Sequence, residues 1–489
     1  MAQIQVYHLA KSFGLNALLK DISFQMPAGE KAGLVGINGS GKTTLLRILA
    51  GQISPDSGEI HLPKRAAVDL LEWAAPQDGD SGPDEPLSGG ERTRLALTRF
   101  LAEKPDLMLM DEPTNNLDWQ GIRQALKLLK NCPSGMLIVS HDRYFLDNLV
   151  TRIFEIEDGR LIEYAGNYSF YRQEKERLFQ ERQRRYENDR KQQERVREAI
   201  RQTREWAEKS HAQSTRPDAS GNKMGLKEYK RNKAKKLEQK AKNDIRRLEK
   251  MVKTSESKPK PEVRVYFSID SQVNHGRRVL EATEIAKNFG DRVLFLPSSF
   301  TVQRGEKVAI TGPNGCGKTT LVRMIQGLVQ PDQGTLWLSP SCRPHVLAQQ
   351  LEEMPAGQTL LEFFIGRLGR LDSQGRSMLA QLGITTRHLE QDTGSFSLGE
   401  QMKIKLAVPI LARQDFLILD EPTNYLDLHA RERLEEALTQ YQGTLLVVSH
   451  DLYLLRKVCD KVLVFSGRQI RRLEQSFAEY LDAESKPAD

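Results

Sequence analysis

The sequence predicts an α/β fold: two copies of one domain, each a mostly parallel sheet with helices on its faces, joined by a long helical hairpin. Three observations carry this expectation. Blocks of sequence recur at fixed offsets along the chain. Within each copy, short apolar runs alternate with segments of helical periodicity, the pattern of a parallel sheet. Between the copies, Tyr168 to Ser210 contains neither Gly nor Pro, so nothing interrupts a helix of about 60 Å at 1.5 Å per residue.

The repeat fixes the organisation. GINGSGKTT begins at Gly36 and GPNGCGKTT at Gly312, an offset of 276 that also relates Phe13 of KSFG to Phe289 of KNFG and Pro55 of PDSG to Pro331 of PDQG. Further on the offset becomes 309: LSGGE (Ser88) against FSLGE (Ser397), MDEPTNNLD (Asp111) against LDEPTNYLD (Asp420), and VSHD (His141) against VSHD (His450). The second copy therefore carries 33 extra residues between its PDxG turn and its Ser-Gly motif. Domains are expected at 1–167, 168–262 and 263–489.

Taken in order, KAGLVGI and KVAIT read as buried strands, each followed by a glycine-rich turn and a helix (LLRILAG, LVRMIQG). DLMLM and FLILD are apolar runs ending in Asp, as expected of central strands covered on both faces. Ligands of such sheets sit at the carboxyl ends of the strands.

In the hairpin, HAQSTRPDASGNKMG, from His211 to Gly225, is expected to break helicity, and a second helix to resume near Leu226. Leu237, Ala241, Ile245, Leu248 and Val252 then form a narrow apolar stripe suited to an antiparallel partner. Between Glu181 and Glu194 the first helix offers only Tyr186 as an apolar residue.

Charge is concentrated in the same segment. The whole chain of 489 residues carries 72 Lys or Arg and 65 Asp or Glu, a net of +7. From Tyr171 to Lys260 there are 29 basic against 15 acidic residues, a net of +14. That is the footprint of a nucleic-acid contact, with a merely solvated hairpin as the bland alternative. Candidate RNA-facing side chains are Lys230, Arg231 and Lys235 on the returning helix and Arg216, Lys223 and Met224 near the tip. No run approaches the roughly 18 apolar residues of a membrane span, and the opening MAQIQVYHLAKSFG has no secretory pattern. Cys132, Cys316, Cys342 and Cys459 have no metal-ligand spacing. A cytoplasmic protein with free thiols is expected.

The pattern G-x4-G-K-T, twice between a strand and a helix, implies a triphosphate ligand. Its backbone donors would come from Gly36, Asn38, Gly39, Ser40, Gly41, Lys42, Thr43 and Thr44, and from Gly312, Asn314, Gly315, Cys316, Gly317, Lys318, Thr319 and Thr320. Lys42 and Lys318 would reach the terminal phosphates, and Thr43 and Thr319 would ligate magnesium. Asp111 and Asp420, hard oxygen donors at strand ends, complete the metal set. Glu112 and Glu421, one residue on, are placed to polarise the attacking water.

With SGGE, DEPTN and SHD following in this order, the chain resembles the nucleotide-binding domains of ATP-binding cassette proteins: two P-loop cassettes that close head to tail within one monomer. The resemblance implies that each ATP lies between the phosphate loop of one cassette and the Ser-Gly motif of the other. One composite site would combine Lys42, Thr43, Asp111, Glu112 and His141 with Ser397 and Gly399. The other would combine Lys318, Thr319, Gln349, Asp420, Glu421 and His450 with Ser88, Gly89 and Gly90. Phe13 and Phe289 become candidates to stack on adenine, with a core ring as the alternative for each. His141 and His450 become sensors of the terminal phosphate rather than core histidines. Two positions depart from the family: Leu398 stands where it has a glycine, and Trp73 stands in register with Gln349, leaving only Gln77 as a nearby substitute.

Fusion of two cassettes through a basic linker resembles the F subfamily, whose members act on ribosomes; EPTN in both halves agrees. The region from Ile60 to Leu87, where housekeeping members often carry an arm, is short here. The resemblance therefore implies an ATPase that binds 23S rRNA and P-site tRNA and protects the ribosome from drugs at the peptidyl-transferase centre. A housekeeping factor for stalled ribosomes is the alternative. A transporter ATPase would need a membrane partner, for which the chain offers no evident docking surface.

Overall fold

The computed structural model describes residues 4–14, 16–62, 68–72, 93, 97–98, 101, 105–115, 117–215, 232, 235–236, 239–248, 250–251, 277–290, 292–342, 344–347, 354–412, 414–424 and 426–484. These fall into two units, Met1–Tyr171 with Val263–Asp489, and Arg172–Glu262.

In the first unit each copy of the repeat builds the same six-stranded sheet. Its order is Val68–Glu72, Leu107–Asp111, Gly135–Val139, Lys31–Gly36, Arg152–Glu157, Arg160–Tyr164 in the first copy. In the second it is His345–Leu347, Phe416–Asp420, Thr444–Val448, Lys307–Thr311, Lys461–Ser466, Gln469–Leu473. All neighbours are parallel except the last pair of each sheet. The strand read from KAGLVGI lies inside its sheet, and those read from DLMLM and FLILD flank the middle. Gly135–Val139 and Thr444–Val448 are buried along their whole length, which is why they read as unbroken apolar runs.

A three-stranded antiparallel sheet covers one side of each copy: Asn16–Met26, Ile4–Phe13, Ser57–His61, and Arg292–Gln303, Arg278–Phe289, Gln333–Leu338. The helix after each glycine turn shares one core with both sheets. In the first copy Val6, Ile22, Leu34, Leu45, Leu46, Leu109 and Phe154 all belong to it. Full burial of one such side chain contributes about 1.5–3 kcal/mol, so the turn is pinned from behind by packing.

Between its PDxG turn and its Ser-Gly motif the second copy builds helices. Leu360–Leu368, Ser373–Gln381 and Thr386–Leu389 precede Leu398–Leu411, and Phe363, Phe364, Leu379, Leu389, Met402 and Leu406 join the second copy's core. Thr359 and Glu362 close a capping box at the first of these helices, the signature of an independently specified helix start.

In the second unit the outgoing helix belongs to a single element, Tyr168–Thr215, of about 72 Å at 1.5 Å per residue. It runs past Ser210, where the sequence reading placed its end, so residues 211–215 correct that boundary. HAQST holds no breaker; Pro217 is the first, and the residue before a proline is pushed out of the helical region. Pairs one turn apart lace the outgoing helix: Arg177 to Glu174 and Arg185 to Glu181 at 2.6 Å, and Arg190 to Glu194 at 3.3 Å. On the returning segment Ala241 is buried and Ile245 and Leu248 are half-buried, as a stripe requires. Leu237 and Val252 lie outside the described residues, as do Arg216, Lys223, Met224, Lys230 and Arg231. Lys235 is helical and exposed. No helix among the described residues is long and apolar enough to cross a membrane.

Candidate nucleotide sites between the two cassettes

Each phosphate loop is shaped by glycines. A Cβ on Gly36 would lie 2.7 Å from Ser40 Oγ and 2.8 Å from the Ile156 carbonyl; on Gly312 it would meet Phe465 Cβ at 2.6 Å. The helices Lys42–Leu49 and Lys318–Ile325 start from Gly41 and Gly317 at φ 101° and 109°, and no side chain caps either one. Their first amides thus form a donor cluster with the positive end of the helix dipole behind it. Gly39 and Gly315, also at positive φ, lie between. Lys42 Nζ donates to the carbonyls of Gly36 and Ile37 at 2.9 and 3.0 Å, and Lys318 Nζ to those of Gly312 and Pro313 at the same distances. Burial pushes the Lys42 pKa down, while Glu112, Asp427 and Asp111 pull it back up. Burial likewise pushes the Cys316 thiol up.

Behind the loops sit the hydroxyl and carboxylate pairs. Thr43 Oγ1 donates to Asp111 Oδ2 at 2.6 Å, and Thr319 Oγ1 to Asp420 Oδ2 at 3.0 Å. Glu112 and Glu421 follow at φ 53° and 52°, a backbone region costly for residues with a side chain and common at functional positions. Their amides are held by the carbonyls of Val139 and Val448 at 2.8 Å. Their carboxyls accept from the backbone N–H of His141 and His450 at 3.2 and 3.4 Å. The imidazole Nε2 atoms stand 3.6 and 3.5 Å from the same carboxyls.

Burial pushes Glu112 up to about 7 and Glu421 up to about 8, with Asp111 and Asp420 adding to the rise. It pushes His450 down to about 4 and His141 well below its ordinary range. A carboxyl poised near neutrality beside a neutral imidazole can take up and release a proton. Among the described residues, Ser40 Oγ, Glu112 Oε1 and His141 Nδ1 are buried without a hydrogen-bond partner. Unmatched polar atoms around an uncapped helix start and a hydroxyl–carboxylate pair fit a triphosphate with a hard divalent cation.

Two residues of the repeated motif that sequence reasoning passed over join the cassettes. Asp118 Oδ1 caps the helix Trp119–Lys130 through Gly121 N–H at 2.8 Å, while Oδ2 accepts from Asn314 N–H of the other cassette at 3.1 Å. Asp427 does the same with Ala430 at 2.9 Å and Asn38 at 3.3 Å. The signal was present: an Asp repeating at the 309 offset, directly before a helical pattern, marks a cap. Burial alone would raise the Asp427 pKa, but Lys403 and the Ala430 and Asn38 amides bring it below its ordinary value. Lys403 belongs to the helix Leu398–Leu411, whose cap is Ser397 in a capping box with Glu400. Leu398, 54 % exposed, is the first residue of that helix, a position any side chain adopts, and Gly399 follows it. Arg431 adds a bond from Nη1 to the His141 carbonyl at 2.9 Å.

Phe13 and Phe289 are 53 % and 54 % exposed, which removes the core reading. Lys11 and Lys287 stand over their rings at 5.7 and 5.5 Å. Ser88, Gly89, Gly90, Trp73, Gln77 and Gln349 lie outside the described residues.

Known proteins carry the same architecture. Family profiles described as ABC transporter match residues 19–80, 71–115 and 295–424, and a second, extension profile matches 154–219. The chain is 40% identical to the ribosome protection protein VmlR of Bacillus subtilis over 93% of its own length and 85% of that protein's. It is 28% identical to the energy-dependent translational throttle protein EttA of Escherichia coli K12, over 95% and 92% respectively. A solved structure of the RNase-L inhibitor superposes with a TM-score of 0.61 at 20% identity, covering 98% of this chain and 93% of that one, which shows the fold. The chain belongs to the ABC-F family of twin-cassette proteins and is an ATPase.

Proposed function

We propose that this ATPase acts on ribosomes in the cytoplasm and protects them from antibiotics bound at the peptidyl-transferase centre. The carrying observation is the 40% identity to a ribosome protection protein across nearly the whole chain, and the basic linker agrees with it. In this reading the amides and lysines of the phosphate loops bind ATP, Ser88 to Gly90 and Ser397 with Gly399 complete the two sites from the opposite cassettes, and Phe13 and Phe289 stack on adenine. Magnesium, held by Thr43 with Asp111 and by Thr319 with Asp420 and Gln349, supplies positive charge to the terminal phosphates. Glu112 and Glu421 orient water and accept its proton, and His141 and His450, whose backbone N–H groups hold those carboxyls in place, sense the terminal phosphate.

ATP closes the cassettes, and only that conformation fits the ribosome's tRNA exit region. The linker then reaches 23S rRNA and P-site tRNA and displaces the drug. Hydrolysis reopens the cassettes and releases the protein, so ATP works by shifting a population.

Two measurements test this. Glu112→Gln with Glu421→Gln should sediment with ribosomes in ATP; recovery in the supernatant overturns the ribosome reading. Expression in a sensitive bacterium should raise inhibitory concentrations of lincosamides, pleuromutilins and streptogramin A. Unchanged values alongside ribosome retention would favour the second reading, a factor for stalled ribosomes, which the match to EttA supports.

A further inference from the structure

The first turn of the linker helix is held from two sides, and one of them belongs to the second cassette. Asn167 caps the helix through the Phe170 amide at 3.1 Å. Asp147, of the first cassette, accepts from the Ser169 amide and from the Ser169 hydroxyl, both at 2.6 Å. The same carboxylate accepts from the hydroxyl of Tyr453, which belongs to the second cassette. One residue earlier, the Tyr168 hydroxyl donates to Glu432 of the second cassette at 2.9 Å. Tyr171, by contrast, donates at 2.9 Å to Glu155 of its own cassette. Tyr168 and Tyr171 are each 3 % exposed.

The internal repeat supplies a control. At the 309 offset the linker's first turn corresponds to the start of the helix Phe477–Glu484 in the second cassette. There Tyr168 is matched by Phe477, Ser169 by Ala478, Asp147 by Arg456 and Glu432 by Arg123. Each replacement removes a hydroxyl or reverses a charge. Arg456 turns to Asp482 at 4.0 Å, and Arg123 lies over Trp119 at 5.6 Å. Shared packing of the cassettes would place the same groups on both sides; Tyr453 does keep a counterpart in Tyr144, but among the described residues the bonds are made where the linker begins and not at the second copy's helix.

We propose that Tyr168, Ser169 and Asp147, closed by Glu432 and Tyr453, form a clamp that reports cassette closure to the root of the linker helix. Both hydroxyl bonds from one cassette to the other form only while the cassettes are together. Opening removes them and leaves the Asp147 carboxylate, among the described residues, with Ser169, so the first turn loosens as the cassettes part. The coupling does not depend on what the linker touches.

Hydrogen exchange of the Ser169, Phe170 and Tyr171 amides tests it, in the full chain carrying Glu112→Gln and Glu421→Gln, with and without ATP. In that background ATP should slow exchange at these three amides. Adding Tyr168→Phe with Tyr453→Phe should accelerate their exchange in ATP about tenfold, the factor for one hydrogen bond to a charged group, while ATP still protects both phosphate loops. Tyr171→Phe should leave the ATP effect in place. Persistence of the ATP effect at full size in the double phenylalanine variant overturns the clamp. So does loss of phosphate-loop protection in that variant, which would make the hydroxyls general interface bonds, and so does abolition by Tyr171→Phe, which would place the hold within one cassette.

Discussion

At Asp118 one carboxylate oxygen caps the protein's own helix while the other takes an amide from the opposite phosphate loop. The two roles separate by substitution. Asp118→Ser keeps a good cap but is too short to reach Asn314, whereas Asp118→Ala loses both and sacrifices about 1 kcal/mol of helix stability. The serine variant should melt like the wild type yet hydrolyse ATP several-fold more slowly; equal losses of melting temperature and turnover in both variants would refute the division. A second residue-scale prediction concerns Glu421. Its carboxyl is pushed from 4.5 up to about 8 by burial and by Asp420. Between these values the folded protein holds a proton that the unfolded chain releases, so this group's contribution favours folding as pH falls from 8 towards 4.5. Above pH 8 the buried charge is fully present and destabilises. Glu421→Gln removes that charge, so without nucleotide or magnesium it should melt above the wild type at pH 8.5, by about 2–4 °C for each kcal/mol relieved. The gap should close by pH 5, and a gap that is constant with pH would refute the assignment.

Among the elements, what repeats or alternates was legible and what depends on the other cassette was not. KAGLVGI and FLILD announced buried strands because their own side chains fill both faces of a sheet. The phosphate loops announced themselves because only glycine tolerates the approach of Ser40 to Gly36 or of Phe465 to Gly312. Arg143, Tyr453 and Glu435 carried no such local mark, since their partners are about 300 residues away. The boundary near Ser210 falls short because the breakers that argue for it, Pro217, Gly221 and Gly225, all lie beyond Thr215, to which the helix runs. A prediction for the linker can therefore leave that helix whole. Deleting 216–225 while leaving the helix Tyr168–Thr215 intact should abolish drug protection and spare ATP hydrolysis without ribosomes. Protection that survives the deletion would deny the tip a direct role.

Across the whole first unit, the two cassettes repeat one another far better than their shared surface does. Arg143 of the first cassette bonds to Glu435 and, at 3.1 Å, to Asp451 of the second. It also lies over the Tyr453 ring at 4.7 Å. All three charged residues are at most 6 % exposed on their side chains. On the mirrored side Leu452 and Leu126 occupy the positions of Arg143 and Glu435, and Ile122 that of Arg431. At these three positions one side of the interface is thus ionic where the other is apolar, while Asp451 keeps a carboxylate counterpart in Asp142. Removing one partner of a buried pair leaves an uncompensated charge at a cost of about 3–5 kcal/mol, whereas replacing both with apolar groups is often neutral. Arg143→Leu alone should therefore lower the denaturation midpoint strongly. Arg143→Leu with Glu435→Leu, which copies the mirrored side, should recover most of the loss, because Arg431 still faces Asp451 at 3.5 Å. The recovered protein should close on ATP, yet without the ionic side the alignment of Tyr453 with Asp147 loses its anchor. The double variant should then separate stability from coupling: a restored midpoint together with faster exchange at Ser169. A double variant no more stable than Arg143→Leu would show that packing around Leu452 and Leu126 cannot be transplanted across the pseudo-symmetry.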